Sequence, residues 1–186
     1  MFGKALTMNH SGGSIVLEKE RGDIMAYKAL DVARYIINYS NEQGYGVSNL
    51  KLQKLLYFVQ AEFLAYSDDK KPCFREEIEA WGFGPVVPCV YQEFKQYGSS
   101  NIPTVKEYFE VSENWDVIKR KFREGIIRNR DRERINDIVD GLSDYSAAYL
   151  VNITHHQAPW KKVYEKGMNN IISKKSIREY FESEEN

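Results

Sequence analysis

Apolar residues recur along most of this chain with a helical period. Ala29, Val32, Ala33, Ile36 and Ile37 fall at i, i+3, i+4, i+7 and i+8, which predicts a helix over 29–43. Gly44 and Gly46 stop it. Ser48 then has the chemistry of an N-cap, since its hydroxyl can accept a free backbone N–H of the next helix. That helix is expected from about Asn49 to Tyr66, with Leu52, Leu55, Leu56, Val59, Phe63 and Tyr66 on one stripe. Tyr57, Phe58 and Leu64 widen the stripe, so burial on more than one side is expected. Lys51 and Lys54 lie off the stripe and read as solvated lysines.

Asp68 to Pro72 is a turn or loop. Residues 78–83, IEAWGF, read as a strand or extended segment. Gly82-Phe83-Gly84-Pro85 forces a corner, because a residue before proline is pushed away from the helical region. Pro88 suits the first turn of a helix over about 88–97, with Val90 and Phe94 as its apolar pair beside Val87 and Tyr91. Residues 102–111 look extended. Trp115, Ile118 and Phe122, at i, i+3 and i+7, predict a helix over 114–125. A further helix is expected over 129–142 (Ile135, Ile138, Val139, Leu142) and another over 145–155 (Ala148, Leu150, Val151, Ile153). Pro159 interrupts the latter, a short helix can follow over 160–166, and Ser173 can cap a last one over 174–183. The expected fold is mainly α with a minor β element: a compact, single-domain helical bundle with a short strand or hairpin.

Composition narrows the class. The chain has 186 residues, which fits one domain, and its 42% hydrophobic and 28% charged residues fit a globular protein with a real core. Residues 1–24 are Gly- and Ser-rich, then charged, with no secretory apolar run. They read as a flexible N-terminal extension, with the domain proper over 25–186 from Met25. A net charge of −1 gives no global field toward nucleic acid or membrane. Two cysteines, Cys73 and Cys89, with no CxxC pair, point to a reducing compartment. No run approaches the roughly 18 apolar residues of a membrane span. A cytoplasmic location is therefore expected. Thirteen tyrosines are many, and a ring with a polar tip suits core edges and interfaces.

Three blocks carry a family resemblance: LKLQKLLYF at Leu50–Phe58, EAWGFGPVVPCVY at Glu79–Tyr91 with Phe94-Lys95 and Gly98, and ITHHQAPW at Ile153–Trp160. In these blocks the chain resembles the Panacea antitoxin-like domain, of the SocA-like, phage-associated GepA type, over roughly residues 26–165. His156 and Gln157 stand where an acidic residue is expected in the third block, and the 24-residue leader has no place in the pattern. The resemblance implies an antitoxin of a bacterial or prophage toxin–antitoxin pair. Such a domain holds a cognate toxin, or another phage or host protein, by direct binding, or delivers it to a protease. The family brings no catalytic residues and no cofactor.

Candidate chemistry is read beside this. Tyr57, Trp81, Phe83, Tyr91 and Phe94 are candidate partner-binding aromatics, because rigid aromatics anchor interfaces. The GPVVP corner that carries some of them is equally a turn that needs Gly for close packing and Pro to start a helix. Lys119 to Arg134 holds eight basic residues against Glu124, Asp131 and Glu133. Lys119, Lys121, Arg128 and Arg130 are the candidate phosphate contacts in an alternative reading as a nucleic-acid-binding regulator. The same stretch also reads as a solvated face or as the surface for an acidic partner. His155-His156 sit at a helix C-terminus, which favours a cationic or hydrogen-bonding histidine. No nucleophile setting and no zinc spacing with Cys73 or Cys89 accompanies them, so no catalytic residue and no metal ligand is assigned. Gly82-x-Gly84 is followed by Pro, which removes an N–H that a phosphate loop needs.

Overall fold

The computed structural model describes residues 26–183. The expected extension over 1–24 and the domain start at Met25 lie outside the described residues. The elements are α1 (Ala29–Glu42), α2 (Asn49–Ala65), β1 (Ile78–Trp81), β2 (Gly84–Val86), α3 (Pro88–Phe94), β3 (Glu107–Val111) and β4 (Val117–Lys121). After them come α4 (Asn129–Gly141), α5 (Ala147–His156), α6 (Ala158–Lys161), β5 (Ile171–Ile172) and α7 (Lys174–Ser183). Helix predominates and strand is minor, as the periodicity predicts.

Helix α2 is the axis. It packs against α1, α3, α4, α5, α7 and β2, and 13 of its 17 residues are buried, so no side of it is left to solvent. Ser48 caps it, its hydroxyl accepting from the Lys51 N–H at 3.4 Å. The polar residues buried on α2 are each given work. The Gln60 amide donates to the Phe74 carbonyl at 3.0 Å and accepts from the Phe74 N–H at 3.1 Å. It thereby closes the 68–74 loop onto the helix. Gln60→Leu leaves both Phe74 groups unpaired in the core. It is expected to cost about 2 kcal/mol in urea unfolding, given that an orphaned buried polar group costs roughly 1–3 kcal/mol.

Two sheets flank the helices. β1 lies between β2 and β5, antiparallel to both, with Trp81 opposite Gly84 and Ile78 opposite Ile172. β3 and β4 form a separate two-stranded hairpin with Phe109 opposite Lys119 and Val111 opposite Val117.

Several expectations are corrected. The helix expected over 114–125 is instead the turn and second strand of the β3–β4 hairpin. Trp115 has a positive φ of 65° and is 87% exposed, and the turn is closed by Ser112 and Asp116. Three apolar residues at helical spacing were outweighed by pairing with β3. The expected strand 78–83 ends at Trp81, because Gly82-Phe83 is the two-residue loop of a hairpin rather than a corner. Lys54 is fully buried, and Lys51 is half-buried with its ammonium donating to the Ser143 carbonyl at 2.5 Å. Neither is a solvated lysine. Helix α5 buries Leu150 and Thr154, while Ala148 is exposed. Thr154 takes a stripe position with its hydroxyl donating to the Val151 carbonyl at 3.0 Å, and it packs closely against Gly84.

Candidate functional site: a clamped aromatic hairpin

The β1–β2 hairpin is short, and a short hairpin has little stability of its own. Its neighbours hold it by the backbone. From α2, the Gln53 side-chain oxygen accepts from the Val87 N–H at 2.9 Å, and the Lys54 ammonium donates to the Pro85 carbonyl at 2.8 Å. From α6, the Trp160 indole donates to the Trp81 carbonyl at 3.0 Å. His155, Trp160 and Tyr164 stack in series, with centroids 4.1 and 4.3 Å apart, and form a wall beside the loop.

Gly84 is where this clamp is tightest. Its φ is +93°, and a Cβ there would lie 2.7 Å from Thr154 Oγ1 and 3.0 Å from Lys54 Nζ. Only glycine fits both the conformation and the space. The Lys54 ammonium below it has left water, and desolvation pushes its pKa down to about 7. The His155 pKa is lowered too, first by burial and then by the charge on Lys54.

The clamp presents aromatic surface. Phe83, at the tip, is 70% exposed. Behind it Trp81 is half-buried, meets Tyr91 edge-to-face at 5.0 Å, and donates its indole N–H to Glu79 at 2.7 Å. A groove of about 300 Å³ runs beside them, lined by Leu50, Gln53, Trp81, Phe83, Val86 and Tyr91 among others. Such a surface can bind an apolar protein segment, and it offers no nucleophile or acid–base pair.

The other sequence candidates are placed as follows. Tyr57 and Phe94 are in the core, at 0% and 4% exposure, so neither forms part of this surface. Tyr57 packs edge-on against Phe58 and Phe181, and burial raises its hydroxyl pKa. The basic stretch is split: Lys119 and Lys121 lie on β4, whereas Arg128 and Arg130 stand at the start of α4. Much of it is paired, Lys119 with Glu107, Arg120 with Glu110, Arg130 with Asp68, Arg132 with Glu124 and Arg134 with Glu62. It is not one cationic stripe. His156 Nδ1 lies 2.8 Å from the Asn152 carbonyl in an exposed position. Cys73 is buried and Cys89 exposed, and neither is in a disulfide. Among the described residues no group of three or more His, Cys, Asp or Glu is arranged to hold a metal ion. No described helix is long and apolar enough to cross a membrane.

Gln53, Lys54, Thr154 and Trp160 are site residues that residue-by-residue reading missed. Their signal was present, since the three sequence-distant blocks LQK, WGFGPVVP and TH-x-x-x-PW converge on one hairpin. The family model described as "Antitoxin SocA-like, Panacea domain" matches residues 52–161, a span that starts just before Gln53 and ends just after Trp160. The chain is also similar to "Antitoxin SocA" of Caulobacter vibrioides (strain NA1000 / CB15N), at 31% identity over 139 residues, covering 74% of this chain and 71% of the relative. No solved structure matches it. With its three blocks folded into one clamp around the GPVVP hairpin, this chain belongs to the SocA-like Panacea-domain antitoxin family.

Proposed function

We propose that this protein is an antitoxin that neutralises a cognate toxin by occluding it, with Phe83, Trp81 and Tyr91 as anchors. The observation that carries the reading is an exposed phenylalanine on a hairpin held at three backbone points beside an aromatic groove. A preorganised aromatic tip binds with little further loss of conformational freedom, which favours tight association. The role is that of a non-enzymatic regulator, and the family's association with prophages and mobile elements suits it. Occlusion is favoured over delivery to a protease, because the rigid tip and groove suit a stable complex. The nucleic-acid alternative is disfavoured by the ion pairs that consume much of the basic stretch.

The test has two stages. The full chain is used to capture its partner from its own host, and the captured protein is identified by mass spectrometry. That protein is then expressed alone and with this one. Growth arrest alone and rescue on co-expression are the expected pair of results. Phe83→Ala is expected to leave the melting temperature unchanged, since the ring is exposed, and to weaken the complex about tenfold or more. Full rescue by variants lacking Phe83, Trp81 or Tyr91 overturns the anchor assignment. A partner whose expression alone is harmless overturns the antitoxin reading.

A further inference from the structure

The β3–β4 hairpin turns several apolar side chains to water. A surface antiparallel sheet ordinarily turns apolar residues inward and polar ones to water. Here Phe109, Val111 and Val117 are each more than half exposed, and Trp115 stands out from the turn. The opposite face packs toward the body: Tyr108 lies 3.7 Å from the Arg34 guanidinium, and Glu110, opposite Ile118, pairs with Lys28 at 3.0 Å and with Arg120 at 3.4 Å. Those contacts tie the hairpin to α1 and its N-terminal approach, so it is not a free flap. The register sets Val111 opposite Val117, Phe109 opposite Lys119 and Glu107 opposite Lys121, so the outer face is apolar toward the turn and charged toward its base. A concentrated apolar patch of this kind marks an interaction surface.

We propose that this outer face is a docking surface for an amphipathic helix of a partner protein, apolar along one stripe and acidic on its flank. It shares no residue with the aromatic groove at Phe83, and the proposal stands whether or not that groove holds a toxin. Two strands about 5 Å apart make a ribbon about one helix, or roughly 10 Å, wide. Strands of this length span about 17 Å, or about three helical turns. The apolar atoms lie on the face of the ribbon, which suits a helix laid across it better than a strand added at its edge. Charge selects the flank. At the base of the ribbon, Lys119 and Lys121 outnumber Glu107 on the outer face, Lys121 feels Glu107 only through space, and Arg123 beyond them has no ion pair among the described residues. Acidic side chains on the incoming helix complement this end.

The experiment uses the full chain and two synthetic peptides of about four helical turns. Both carry leucine at i, i+3, i+4 and i+7, one with glutamate on the flanks and one with lysine there. Fluorescence anisotropy measures affinity, and hydrogen exchange maps the contact. The glutamate peptide is expected to bind with a Kd of about micromolar order and to slow exchange over residues 107–121. The lysine peptide is expected to bind about tenfold more weakly or worse. Val117→Ser, which changes an exposed residue, is expected to weaken the glutamate peptide by about tenfold with an unchanged melting temperature. Lys121→Glu is expected to narrow the gap between the peptides. Equal binding of both, no binding, or protection only at the β1–β2 hairpin overturns the proposal. So does a concentration-dependent dimer that Val117→Ser abolishes, which makes the occupant a second copy of this chain. Binding without helical circular dichroism, protecting β4 alone, assigns strand addition and overturns the helix.

Discussion

Replacing Gly84 by alanine is expected to destabilise the fold by about 4 kcal/mol, combining roughly 1–3 kcal/mol for a non-glycine residue at a sparsely populated φ with roughly 1–3 kcal/mol for overpacking. The conformational part follows from the φ of +93°, and the packing part from a Cβ placed 2.7 Å from Thr154 Oγ1 and 3.0 Å from Lys54 Nζ. Neither neighbour can yield cheaply. The Thr154 hydroxyl donates to the Val151 carbonyl at 3.0 Å, and the Lys54 ammonium is held by the Pro85 carbonyl. Gly44 supplies the control. Its φ is +78°, and nothing lies within 4 Å of its virtual Cβ. Gly44→Ala therefore bears the conformational cost alone, and its loss is expected to be about 1–2 kcal/mol. Urea unfolding of both variants, followed by circular dichroism, separates the two contributions. Equal losses at the two positions mean that the close approach at Gly84 carries no energy, and the clamp as described is wrong. The same variant bears on the proposed function: loosening the hairpin is expected to lower partner affinity even though residue 84 is buried.

Stability is expected to rise from pH 7 to pH 9, against the usual habit of globular proteins, and Lys54 is the cause. The lysine pKa falls from 10.5 to about 7 on folding because the ammonium is desolvated. Below pH 7 both states hold the proton and the fold bears the whole cost of burying the charge, about 5 kcal/mol at roughly 1.4 kcal/mol per tenfold change in proton affinity. Between pH 7 and 10.5 the unfolded chain binds a proton that the folded one does not, so stability increases with pH. His155 does not disturb this window, since its pKa lies below the ordinary histidine value of 6.5. Burial raises the Cys73 thiol above 9.0 and the Tyr57 hydroxyl above 10.0. Ionisation of these groups in the unfolded chain turns the curve down at higher pH, and the maximum falls near pH 9. The urea midpoint at pH 6, 7, 8 and 9 measures the slope. Lys54→Met keeps the aliphatic stem, removes the charge and is expected to flatten the profile. A wild-type midpoint that is level or falling between pH 7 and 9 would falsify the assignment of a desolvated lysine, as would a methionine variant that keeps the slope.

A buried lysine with a backbone carbonyl for its partner was not legible from its position. Off-stripe lysines on amphipathic helices are solvated as a rule, because one face of such a helix meets water. α2 has no such face. That fact depends on α5 and β2 lying against it, and those elements are far away in sequence. The β3–β4 hairpin was missed for a related reason. Trp115, Ile118 and Phe122 match a helical period, but residues 117–121 are paired residue for residue with 107–111, and strand pairing is a non-local term that no window of one strand contains. Tyr57 and Phe94 were candidates for the partner surface because their residue type suits interfaces. Burial decided otherwise, and burial is a property of the neighbours.

What the sequence determined by itself is most of the helices and the family. Helical periodicity, Ser48 as a cap, Pro88 at a helix start and the LQKLLYF, WGFGPVVP and TH-x-x-x-PW blocks are all readable because each rests on contacts within a few residues or on a pattern of residue types. What only the tertiary structure decided is the meaning of those blocks. Gln53, Lys54 and Trp160 hold the backbone of one hairpin, Thr154 packs against Gly84, and Phe83 is left exposed at the tip. The contacts that hold the hairpin are between side chains and backbone groups up to 79 residues apart, as from Trp160 to Trp81. Their energy depends on the desolvation and geometry of the folded state, which the order of residues along the chain specifies but does not display.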